Sequence, residues 1–177
     1  MKAGDFLVLD VETAGGSMQN FPEGFRLLLT GTRQDTLYGM YTADPASLAE
    51  LHGLVVNFDG PVVTFNGERF DIPILDRWMR DMLGLGLAVP RHYDLMIEIV
   101  RAAGHRISLD RLCFYTFGEE KVTWDHRQNA RAWAEYPQRL VDYNRVDLDL
   151  THELFMRVLR GDPLFLGDAT VVLPAPG

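Results

Sequence analysis

The chain has 177 residues, 47% hydrophobic and 24% charged, a balance that excludes disorder for its bulk and suits one domain with a sizeable core. With 17 Lys+Arg against 25 Asp+Glu its formal charge is −8, which excludes a basic, non-specific nucleic-acid coat. The single cysteine, Cys113, excludes an internal disulfide, and no stretch approaches the roughly 18 apolar residues of a membrane span. The opening Met1, Lys2 and Asp5 lack the basic and apolar regions of a signal peptide, so a cytoplasmic protein is expected. Lys2 and Lys121 are the only lysines, and the other basic residues are arginines, the better bidentate partners for phosphate. A protein this acidic that handles nucleic acid needs something to offset the repulsion, and bound divalent cations would do so.

In chain order, the apolar run at residues 6–9 reads as a buried strand, followed by a loop marked by Gly15, Gly16, Pro22 and Gly24. Residues 26–32 and 37–42 read as a hairpin. Asp44 and Pro45 open a helix that reaches about residue 57, and residues 61–65 form another strand. Helical spacing follows over 75–83, and after a short extended piece past Pro90 again over 95–103. Ser108 is a plausible N-cap for the next helix. A long helix covers about 137–159, with Leu140, Tyr143, Asp147, Leu150, Leu154 and Val158 recurring every three or four residues until Gly161 and Pro163 stop it. The tail from residue 164 carries a β-like patch at 170–173 and a frayed Pro-Ala-Pro-Gly end; its Leu164, Phe165 and Leu166 either dock a partner or close the core. The alternation of strands and helices defines one α/β domain.

The acids at the ends of apolar strands are the informative ones. Asp10 and Glu12 follow the first run directly and, two apart on a strand, point to the same face. Two like charges at a buried strand end repel and lose hydration, which a divalent cation relieves; a solvated, capping strand end is the alternative. Asp71 follows a strand and an Asn66-Gly67 turn, with Pro73 at a helix start, and by itself reads as an N-cap. Asp147 lies in the mostly apolar stripe of the last helix with Tyr143 one turn earlier on the same face. Asp149 turns about 200° away, toward solvent.

In these residues the chain resembles the DEDD-type 3′–5′ exonucleases of the RNase H-like fold, which include the proofreading domains of DNA polymerases. Three segments match in order: Asp10-Val11-Glu12-Thr13, Asn66-Gly67-Glu68-Arg69-Phe70-Asp71, and Tyr143-Asn144-Arg145-Val146-Asp147. The last is similar to the tyrosine subclass (DEDDy), because the position where the histidine subclass has its base is Asp142 here. Likeness to family B polymerase exonuclease domains extends over about residues 5–160, including His92-Tyr93-Asp94-Leu95.

The resemblance implies an RNase H-like fold, a central mixed β-sheet flanked by helices, over residues 1–163 with 164–177 as a C-terminal tail. It implies that Asp10, Glu12, Asp71 and Asp147 hold two Mg²⁺ or Mn²⁺ ions about 3.5–4 Å apart, clamping the scissile phosphate. Tyr143 would orient or deprotonate the attacking water; an ordinary phenol, of pKa near 10, is a poor base unaided. Thr13, Asn66 and Phe70 are the candidates for substrate contact, Phe70 and Asn66 having core-packing and turn-forming readings beside it. Asp94 reads as a metal ligand or a supporting residue, and His126 as a runner-up acid–base group. His92 and His105 read as structural, and Arg69, Arg91, Arg106 and Arg127 as surface arginines with phosphate contact as the alternative. Partners implied are single-stranded DNA or RNA 3′ ends, and a polymerase or repair partner for a chain too short to polymerise. A catalytically silent nucleic-acid-binding or partner-binding module of the same fold is the rival. DNA against RNA and the oligomeric state are not legible.

Overall fold

The computed structural model describes residues 1–118 and 124–177. Strand β1, Leu7–Gly15, is central to the sheet. It runs well past the apolar run that announces it, because the antiparallel strand β2, Phe25–Gln34, pairs with it from Val8↔Arg33 to Gly15↔Phe25. Asp10 and Glu12 therefore lie inside the strand, not beyond its end. Strand β3, Leu37–Thr42, closes the hairpin through a two-residue turn in which Asp35 takes a positive φ of 53°. Strands β4, Val62–Thr64, and β5, His92–Asp94, join parallel on the other side of β1, giving the order β3-β2-β1-β4-β5 and a mixed sheet. Only an extended piece is legible in the sequence where β5 stands, since three residues carry no periodicity.

Alternation along β1 sorts the core. Leu7, Leu9 and Val11 face α1, Pro45–Val56, and α2, Asp71–Leu83, through Leu48, Leu51, Val55, Ile74, Leu75 and Met79. Phe6 and Val8 face the opposite layer, built by α3, Leu95–Ala103, α4, Leu109–Phe117, and the long α6, Pro137–Arg160. By the same parity Asp10 and Glu12 face α6. Asp44 caps α1 by accepting from the amides of Ala46 and Ser47 at 3.1 Å each, and Ser108 caps α4, both as expected. Helix α2 begins at Asp71 itself, ahead of the helical spacing at 75–83 and with Pro73 in its first turn.

A short helix, α5 (Asn129–Glu135), has no counterpart in the sequence reading; its seven residues are too few for an apolar period to show. The stripe of α6 is rotated slightly from expectation: Asn144, Leu148, Thr151 and Phe155 are buried, whereas Tyr143 and Leu150 are half-buried. The tail forms a small hairpin, β6 (Leu164–Phe165) with β7 (Thr170–Val171), and buries Leu164, Leu166, Val171 and Leu173 in the α6-side core. At its end the Tyr93 hydroxyl donates to the Pro174 carbonyl at 2.8 Å.

Candidate active site

Three carboxylates converge where β1 meets α6. Oxygens of Asp10, Glu12 and Asp147, one from each, lie within 4.8 Å of one another. Glu12 and Asp147 are buried and Asp10 is half-buried, so none of the three is an ordinary solvated surface acid. A kink in the ladder sits at this point: the β1–β2 register shifts between Glu12 and Thr13, with Glu12 opposite Leu29 and Thr13 opposite Leu27.

Asp71 stands in the wall of the same cavity but outside that 4.8 Å group. It is the first residue of α2, and its carboxylate accepts from the Val11 amide of β1 at 2.9 Å; the N-cap position is Phe70. The N-cap reading of Asp71 thus gives way to a tie between helix and strand. Burial pushes its pKa up to about 7, against the lowering hydrogen bond from Val11, with the nearby charges of Asp94 and Asp147 adding to the rise. A buried acid held among other acids is the situation a cation relieves, and the oxygen donors here are the hard ligands Mg²⁺ and Mn²⁺ take.

Two buried amides support the β1 acids. Asn144 of α6 donates from Nδ2 to Asp10 Oδ2 at 2.7 Å. Asn129, at the start of α5, donates from Nδ2 to Glu12 Oε2 and to the Thr13 carbonyl, each at 3.0 Å. Its Oδ1 in turn accepts from the Trp124 indole at 2.6 Å. Trp124 stacks on Tyr143 with ring centroids 5.0 Å apart, and His126 meets Tyr143 edge-on at 5.7 Å. Asn129 and Trp124 were missed by sequence reasoning. Nothing local flags them, because Asn129 meets Glu12 across 117 residues of chain.

A cavity of about 520 Å³ opens in front of the cluster, lined by Asp10, Glu12, Asp71 and Asp147 and by all three candidate substrate contacts, Thr13, Asn66 and Phe70. His126 and Arg127 also line it; Tyr143 adjoins it through its contact with His126. Phe70 has both expected roles open to it, since it packs on Phe21 and Phe25 at 5.8 and 5.2 Å while facing the cavity. Asn66 makes the turn, at a φ of +69°, and still lines the cavity.

Asp94 organises that turn. It accepts from the amides of Asn66 and Glu68 and, as N-cap of α3, from Met96, each at 2.9 Å. Its carboxylate is therefore taken up by backbone, which makes it a support for the second motif. Arg106 donates to Asn66 Oδ1 at the cavity's edge, whereas Arg91 donates to the Asp59 carbonyl in a different pocket. His92 pairs with Thr64 Oγ1 at 2.8 Å and burial holds its pKa below the usual histidine value. Asp149 does not stand free in solvent; it pairs with Arg33 at 2.8 Å on the β2–β3 side.

A scan against models of known protein families finds no match, and a search of curated proteins finds none. Among solved structures, the family B DNA polymerase from the hyperthermophilic archaeon Pyrobaculum calidifontis is similar, with a TM-score of 0.69 and 20% sequence identity over 87% of this chain and 24% of that one. The chain thus spans about a quarter of the polymerase's length. At that identity the likeness is one of fold. The chain has the α/β, RNase H-like architecture that the motif resemblance implied, a five-stranded mixed sheet flanked by helices.

Proposed function

We propose that the protein is a divalent-cation-dependent 3′–5′ exonuclease that removes nucleoside 5′-monophosphates from single-stranded ends of DNA or RNA. The observation that carries this reading is the convergence of Asp10, Glu12 and Asp147 within 4.8 Å, beside the buried Asp71, in one open cavity. Similarity of fold to a DNA polymerase over most of the chain supports it. In this reading Asp10, Glu12, Asp71 and Asp147 hold two Mg²⁺ or Mn²⁺ ions, which would supply charge stabilisation at the phosphate and a more acidic water. Tyr143, braced by Trp124 and His126, orients that water. Thr13 and Asn66 offer hydrogen bonds to the terminal nucleotide, and Phe70 an aromatic face. Residues 1–163 form the exonuclease domain and 164–177 a tail that closes its core. A polymerase or repair protein is the partner class this reading implies.

The test is digestion of 3′- and 5′-labelled single-stranded DNA and RNA with Mn²⁺, with Mg²⁺ and with EDTA, alongside Asp147→Ala. The expected result is a metal-dependent ladder shortening from the 3′ end and lost in the variant. A folded wild-type protein that binds these strands without digesting any would instead be a silent binding module.

A further inference from the structure

We infer that Asn144 and Asn129 are positioning residues that set the two β1 carboxylates for cation binding, an assignment that rests on the metal reading above. Each amide is almost wholly buried, at 0% and 1% exposure, and each donates to one oxygen of a different acid, Asp10 Oδ2 and Glu12 Oε2. A carboxylate has two oxygens and about four lone-pair sites, so an amide donor on one oxygen constrains its rotation without occupying every site. The chemistry of the donor matters. A lysine or arginine there would neutralise the charge that attracts the cation, whereas an amide orients the acid and leaves its charge intact.

Stability does not account for Asn144. Its Oδ1 is buried with no hydrogen-bond partner among the described residues, which opposes folding, and leucine or alanine is the ordinary occupant of a buried helix position. The surrounding chain makes room for it. Gly31 of β2 lies opposite Asp10, and a Cβ there would come within 1.8 Å of Asn144 Oδ1. Asn129 is fixed from three directions, by Glu12, the Thr13 carbonyl and the Trp124 indole. Because Trp124 stacks on Tyr143, this one amide also ties the orientation of Glu12 to that of the tyrosine.

The experiment is titration of chelator-treated protein with Mn²⁺, following free ion by electron paramagnetic resonance, for wild type, Asn144→Ala and Asn129→Ala. Thermal unfolding without metal is measured on the same samples. Loss of a residue that orients a metal ligand typically weakens affinity 10- to 100-fold, and that loss is expected for each variant while both still unfold cooperatively. Variants that bind Mn²⁺ as tightly as wild type, whatever their stability, overturn the assignment and leave the exonuclease reading standing. A wild type that binds no Mn²⁺ overturns both. Should Asn144→Ala not fold, Asn129→Ala, at the first residue of the short α5, decides the question.

Discussion

Asp71 carries the largest consequence of burial at a single residue. Its carboxyl has a folded pKa near 7 against an ordinary value of 3.8, chiefly because burial penalises the charged form. A raised acid pKa means that the folded state binds the proton more tightly than the unfolded state. This contribution to stability is fully present below about pH 4 and is lost as pH rises through 7. In EDTA, Asp71→Asn should therefore be more stable than wild type at pH 8, with the gap narrowing toward pH 5, read as urea midpoints. Divalent cations should stabilise wild type at pH 8 and reverse the order. Gly31→Ala tests the neighbouring strand: the methyl group presses on Asn144 and Leu148 and should cost about 1–3 kcal/mol in urea unfolding.

At the scale of elements, the site is held by side chains that tie one segment to another. Asp94 gathers three backbone amides, two from the turn before α2 and one from the first turn of α3. Asp94→Ala leaves those donors unpaired and should cost about 2–4 kcal/mol, checked by chemical denaturation. Arg77 of α2 does the same for the loop after β1, donating to the carbonyls of Pro22, Glu23 and Phe25. Phe21 of that loop and Phe25 at the start of β2 both pack against Phe70. Arg77→Ala should destabilise by about 2–3 kcal/mol and make the loop the first site of limited proteolysis.

Strand and helix elements with a period of their own were legible: the hairpin, the capped α1 and the long α6 follow from alternation, Asp44 and the spacing of Leu140, Leu154 and Val158. So was the pairing of Asp10 with Glu12, because strand parity is a local rule. The length of β1 was not, since pairing with β2 extends it through polar residues that show no apolar run. The brace of Asn129, Trp124 and Asn144 was invisible for a different reason. The Asn129 and Asn144 hydrogen bonds to β1 cross more than a hundred residues and leave no trace in local spacing. Trp124 enters only through Asn129, and Asn144 is in the third motif only as a residue between Tyr143 and Asp147.

For the whole molecule, the tail is part of the core. Leu164, Leu166, Val171 and Leu173 are buried against the α6 side, and each buried aliphatic side chain is worth about 1.5–3 kcal/mol as an upper estimate. Four of them amount to about 6–12 kcal/mol, comparable with the whole stability of a typical domain. A chain truncated after Asp162 should fail to fold cooperatively, shown by loss of a sigmoidal thermal transition in circular dichroism.

Asp10 and the Asn144 that holds it are separated by 134 residues, with β1 near the start of the chain and α6 toward the end. A ribosome adding about 5–20 residues per second needs roughly 7 to 27 s to make that span. Throughout that interval the nascent β1 acids lack both the amide and Asp147. The three-carboxylate cluster therefore comes into being only with the last long helix, and on the exonuclease reading a chain stalled before α6 would lack its cutting centre.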